Sequence, residues 1–98
     1  MTQSELLKAS EQYIRGILQK HLSGHPAVFL FGSRARQTER WNSDFDLWID
    51  ADIPDAVLVS VTEDIEESFV PFKVDIVTTP KLRGRFGEIV RAEAKPWM

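Results

Sequence analysis

The chain has 98 residues, 43% of them hydrophobic, with no cysteine and a formal net charge of −3 at pH 7. That length suits one domain, 1–98, able to bury roughly 60–65% of the surface its unfolded form exposes. Disulfides, zinc–thiolate sites and thiol nucleophiles are excluded, the net charge gives no support to sequence-independent nucleic-acid binding, no sequence-specific nucleic-acid partner is expected, and no apolar run reaches the length of a membrane span.

Met1 to Glu5 lacks the basic-then-apolar pattern of a signal peptide, so a cytoplasmic location is expected. From Ser4 to about Leu22, apolar residues recur at three- and four-residue steps: Leu6, Leu7, Tyr13, Ile14, Ile17, Leu18 and Leu22. This spacing predicts an amphipathic helix, with Ser4 as N-cap, Gly24 just past its end and Pro26 blocking its resumption. His21 and His25 read as polar residues at the helix end. Ala27 to Phe31 is short, apolar and rich in strand formers, which suits a central strand covered on both faces. Gly32-Ser33 breaks it, and Arg34 to about Thr38 can start a second helix.

A loop, Glu39 to Ser43, leads to a second strand, Ser43 to Asp50. Alternation places Asp44, Asp46 and Trp48 on one face, and Phe45, Leu47 and Ile49 on the core face. A helix near Asp55 follows, with Val57, Leu58, Val61, Ile65 and Phe69 inward and Glu63, Asp64, Glu66 and Glu67 solvated. Phe72 to Val77 is a third strand, with Lys73, Asp75 and Val77 on one face. Leu82 to about Ala94 is a final helix, with Leu82, Phe86, Ile89, Val90 and Ala94 inward. Lys95 to Met98 leaves it as an extended tail suited to a sheet edge. The predicted class is α/β (α+β): a mixed or mostly parallel sheet of three to four strands packed against about four helices.

Three acids among these strands need a physical explanation. Two unit charges about 4 Å apart repel by roughly 4 kcal/mol at an effective dielectric near 20. Clustered carboxylates must therefore protonate, take up a cation or lie apart. Asp44 and Asp46 stand at i and i+2 on one strand face, a spacing able to share a metal. Asp75 sits mid-strand between apolar neighbours, and all three converge if the two strands are adjacent. Hard oxygen donors, with no cysteine and no nearby histidine, suit Mg²⁺ or Mn²⁺. Gly32 lets the backbone turn sharply at a strand end, and the Ser33 hydroxyl with the following N–H groups can hold phosphate oxygens. The pieces together describe a site for a metal-bound nucleoside triphosphate. No Gly-x-x-x-x-Gly-Lys-Ser/Thr motif is present, so it is not a P-loop.

Leu30-Phe-Gly-Ser-Arg-Ala-Arg36, with ten residues separating Ser33 from Asp44-Phe-Asp46, resembles the minimal nucleotidyltransferases of the DNA polymerase β-like superfamily. The resemblance extends from about Leu6 to Val90. It implies the polymerase β-like nucleotidyltransferase fold and transfer of a nucleoside monophosphate, usually AMP from ATP, with release of pyrophosphate. It further implies Asp44, Asp46 and Asp75 as catalytic carboxylates and ligands of two Mg²⁺ ions (Mn²⁺ being an alternative), and Gly32 and Ser33 as the phosphate-binding pair. Small members are often encoded beside a helical HEPN-domain protein, and some are antitoxins that attach AMP to a tyrosine of that toxin. A HEPN-type partner is the expectation that follows, and a homo-oligomer stays open. Gln37 departs from the family pattern, where many relatives carry glycine. A binding module that neutralises its partner by contact, through Trp41, Trp97 and Met98, is the alternative to an enzyme. Transfer to a small molecule is disfavoured, since that class generally carries an added helical domain.

Overall fold

The computed structural model describes residues 1–98. Its helices are α1 (Gln3–His21), α2 (Gly32–Arg36), α3 (Asp55–Glu66) and α4 (Gly84–Glu93); its strands are β1 (Val28–Phe31), β2 (Phe45–Ile49), β3 (Val74–Thr78) and β4 (Lys95–Pro96). A short 3₁₀ turn, Thr79–Lys81, joins β3 to α4. Two compact units can be distinguished: Met1–His25 with Pro54–Pro71, and Pro26–Ile53 with Phe72–Met98.

The first unit is the helical pair α1 and α3. Thr2, not Ser4, caps α1. Its side chain accepts the Glu5 N–H while the Glu5 carboxylate accepts the Thr2 N–H, a reciprocal box that starts the helix earlier than the apolar pattern suggested. Ile14, Ile17, Leu18, Val61 and Ile65 are buried. Tyr13 is half-exposed and meets the Phe69 ring edge-on, with centroids 5.2 Å apart. Phe69 lies beyond the end of α3, so it is not part of that helix's inward stripe. Asp64 was expected on a solvated face; instead its Oδ2 lies 2.6 Å from His21 Nε2 and 3.9 Å from Lys20 Nζ. That hydrogen bond, ahead of the lesser field of Lys20, pulls the Asp64 carboxyl below its ordinary pKa.

The second unit is built on a four-stranded sheet in the order β3-β2-β1-β4. Only β2 and β3 run parallel; β1 pairs antiparallel with β2 and with β4, so the sheet is mixed rather than mostly parallel. The tail forms the edge strand β4, and beyond it the Trp97 and Met98 N–H groups donate to the Val28 carbonyl. Phe45, Leu47 and Ile49 are buried, as the alternation required. The opposite face, carrying Asp46, is covered as well. There Phe31, Trp48 and Val90 form a core cluster with Phe29, Val77, Leu82 and Ala94 against it. Burial of both faces explains the continuous apolar character of β1. In α4, Val90 and Gly87 are buried; Phe86, though 46% exposed, turns its ring edge-on to Phe31 at 6.3 Å, while Ile89 is 44% exposed, contrary to the inward placement expected of it. The helix begins at Gly84, with Leu82 preceding it, and a side chain at position 87 would collide with the Leu82 backbone, so the helix sits close to its own entry turn.

Candidate active site at the carboxylate row of the sheet

The pairing register assembles the site. Asp46 of β2 stands directly beside Asp75 of β3 in a parallel pair, and opposite Phe31 of β1 in an antiparallel pair. Residues in register on adjacent strands project to the same face. Asp46 and Asp75 therefore share one side of the sheet, and Phe31 ends the strand from which Gly32 departs. Asp44 lies one residue before β2 and is exposed. Asp46 and Asp75 are thus side by side at one end of β2 and β3, with Asp44 just outside the strand at that same end.

Gly32 closes the other side. Its φ is +74°, a left-handed conformation open to glycine at little cost. A Cβ placed there would overlap the Asp46 carboxylate, whose Cγ would lie at 3.1 Å. The turn is thus pressed against the acid, and a side chain there would have to displace the Asp46 carboxylate. Ser33 follows in the first turn of α2, partly buried, and its carbonyl accepts the Thr38 N–H at 3.0 Å. Gln37 ends α2 in the left-handed region, φ 62° and ψ 33°. The departure from glycine at this position therefore falls where the backbone itself favours glycine.

Arg34 has a positional role that its sequence context did not reveal. Its Nε and Nη2 donate to the Ser43 carbonyl at 3.2 and 2.8 Å, and Nη2 donates to the Trp41 carbonyl at 3.1 Å. Its guanidinium lies over the Phe45 ring at 4.3 Å and near that of Phe72 at 5.1 Å. The planar fork binds the loop just before Asp44 while stacking on the core. Glu93, at the end of α4, was also missed. It accepts the Gly32 N–H at 3.0 Å and pairs with Arg36 at 2.6 Å.

The electrostatics follow from this crowding. Burial first, then the charges of Asp75 and Asp44, push the Asp46 carboxyl above its ordinary pKa; Arg36 opposes the rise and Glu93 adds to it. Lys73, 3.7 Å from Asp75, is well exposed and offsets only part of the negative potential. As the side chains stand, no three His, Asp or Glu residues form a closed metal-ligating cluster. The donor chemistry nevertheless fits a hard divalent ion: the Asp46 carboxylate lies beside a glycine turn stripped of side-chain bulk, and the charges of Asp75 and Asp44 acting on it favour a cation there.

The polymerase beta nucleotidyltransferase family matches residues 12–95. No curated protein matches the chain significantly in sequence. Among solved structures, a protein described as a minimal nucleotidyltransferase is 29% identical, with a TM-score of 0.68 over 98% of this chain and 96% of that one. A toxin–antitoxin structure with AMP-PNP is 21% identical, with a TM-score of 0.72 over 90% of this chain and 72% of that one. A tri-AMPylated Shewanella oneidensis HEPN toxin in complex with MNT antitoxin gives 17% identity and a TM-score of 0.68, over 93% of this chain and 71% of that one. Four helices, a mixed four-stranded sheet and a family match spanning most of its length establish that the chain belongs to the polymerase beta nucleotidyltransferase family.

Proposed function

We propose that the chain, as a single minimal nucleotidyltransferase domain, transfers AMP from ATP to a hydroxyl group, with a tyrosine of a HEPN-type toxin as acceptor, and so acts as an antitoxin. The observation that carries this reading is the register pairing of Asp46 with Asp75, beside a Gly32 turn where a side chain would displace the Asp46 carboxylate. Two structural neighbours add direction: one is a toxin–antitoxin structure with AMP-PNP, the other an AMPylated HEPN toxin with its antitoxin.

In this scheme Ser33 and the amides that follow it bind the β- and γ-phosphates. Asp44 and Asp46 would hold Mg²⁺, with Asp75 as the third carboxylate, nearest the acceptor. Bound there, Mg²⁺ would neutralise charge developing on the triphosphate. Asp75 takes the proton of the acceptor hydroxyl, whose oxygen forms a bond to the α-phosphorus as the bond to the pyrophosphate oxygen breaks. Asp46, the most buried of the three, favours a bound cation because its burial and the neighbouring charges make its ionised form less favourable than that of an ordinary carboxylate. Arg34 fixes the backbone that presents Asp44.

The test is incubation with labelled ATP, Mg²⁺ and a HEPN-domain protein encoded beside this chain. Label should pass to the partner from the unaltered protein and not from Asp44→Ala. Equal labelling by both proteins would sink the proposal. A contact-only antitoxin is the second reading, favoured by the exposure of Trp41 and Met98, 37% each. It requires full neutralisation by Asp44→Ala/Asp46→Ala, which the transfer reading does not allow.

A further inference from the structure

Glu93 stands 61 positions after Gly32, yet it ties together both ends of the short α2 segment. One oxygen, Oε2, accepts the Gly32 N–H at 3.0 Å; the other, Oε1, accepts Arg36 Nη1 at 2.6 Å. The Glu93 side chain is 19% exposed, against 50% for Arg36. Gly32 in turn abuts the Asp46 carboxylate. Glu93, Gly32 and Asp46 form a contiguous line, with Arg36 held at its outer end.

An extra carboxylate next to an acid row is electrostatically unfavourable by itself. Its pairing with Arg36 gives it a purpose. A guanidinium stays charged at any accessible pH and pairs readily with carboxylates. If Glu93 released it, the carboxylate next along this line, across Gly32, is that of Asp46. Arg36 would then compete with any cation approaching that carboxylate. The freed Gly32 turn would also lose the partner that fixes its N–H.

We propose that Glu93 is a positioning residue: it holds Arg36 and the Gly32 turn back so that the Asp46 carboxylate stays available to a divalent cation. This rests on the functional reading above, in which Asp46 ligates that cation.

The experiment is a calorimetric titration of Mn²⁺ in the presence of AMP-PNP, for the unaltered chain, Glu93→Gln, Arg36→Ala and the double variant. Glu93→Gln should weaken Mn²⁺ binding about tenfold, the order expected for one freed positive charge acting through partly screened space. Removing Arg36 in the same chain should bring the affinity back to within about twofold of the unaltered protein. A residue that merely stabilised the fold would lower the melting temperature without any such restoration. If Glu93→Gln does not fold, Arg36→Ala alone decides: with Glu93 uncompensated, Mn²⁺ should bind more tightly, and weaker binding overturns the inference. Unchanged affinity in Glu93→Gln, or no restoration in the double variant, also overturns it while leaving the functional reading intact. Failure of the unaltered chain to bind Mn²⁺ or AMP-PNP overturns the functional reading itself.

Discussion

Replacing Asp46 with asparagine should stabilise the protein while abolishing its activity. Adjacent strands lie about 4.8 Å apart, and Asp46 and Asp75 are in register. At that separation two carboxylates repel by roughly 3 kcal/mol at an effective dielectric near 20. The Asp75 side chain is 46% exposed, so solvent and salt leave about 1 kcal/mol of the repulsion. Asparagine keeps the shape and removes the charge. For a domain of this length, about 1 kcal/mol corresponds to a rise in melting temperature of about 4–8 °C. The pH dependence has a definite sign. The Asp46 carboxyl is raised above its ordinary pKa in the folded chain, so its ionised form penalises folding at neutral pH. The penalty is complete above the folded pKa and disappears below the unfolded one. Thermal and urea unfolding, in chelator, should show the gain at pH 7 and none once the pH falls below the normal carboxylate range. Added Mg²⁺ should stabilise the unaltered chain and not the variant. A loss of stability at pH 7, or a gain that persists in acid, would refute the reasoning.

Three further outcomes follow from the same geometry. Gly32→Ala places a Cβ against Asp46 at a positive φ, so a cost of at least about 1–2 kcal/mol in unfolding free energy is expected, with loss of AMP-PNP binding by calorimetry. Gln37→Gly relieves a left-handed side-chain position, and urea unfolding should show a gain of up to about 1 kcal/mol with transfer activity unchanged. The Asp64 carboxyl is held below its ordinary pKa by His21, so its contribution to stability is present above the unfolded pKa and is lost as pH falls through the folded one. Asp64→Asn should therefore melt at a lower temperature than the unaltered chain at neutral pH, and the two should coincide in strong acid.

The strands and the acids were legible because their signals are local. A short apolar run closed by Gly32-Ser33 marks a buried strand and a sharp turn, and period-two alternation put Asp46 on one face and Phe45, Leu47 and Ile49 on the other. Asp75 could be assigned a face from its own strand, but its neighbour could not be, since the pairing of β2 with β3 joins segments far apart in the chain. Glu93 and Arg34 escaped notice for the same reason. Glu93 meets Gly32 only when α4 returns over the sheet, and Arg34 acts on backbone carbonyls, which carry no residue-specific pattern. Helical periodicity also overstated the burial of Phe86 and Ile89. Phe86 reaches Phe31 of the sheet yet stays half-exposed, and Ile89 is half-exposed too; periodicity gives the direction of a face but not how much of it is covered. At α1, the Thr2–Glu5 box outweighed the plausible cap at Ser4, because two hydrogen bonds formed there reciprocally.

The most direct measurement is an anomalous diffraction map from crystals grown with Mn²⁺ and AMP-PNP. Manganese peaks bounded by Asp44, Asp46 and Asp75, with the phosphates of the nucleotide against Ser33, are the expected result. Nucleotide bound away from the Gly32 turn, or manganese absent from the Asp46–Asp75 pair while nucleotide is present, would contradict it.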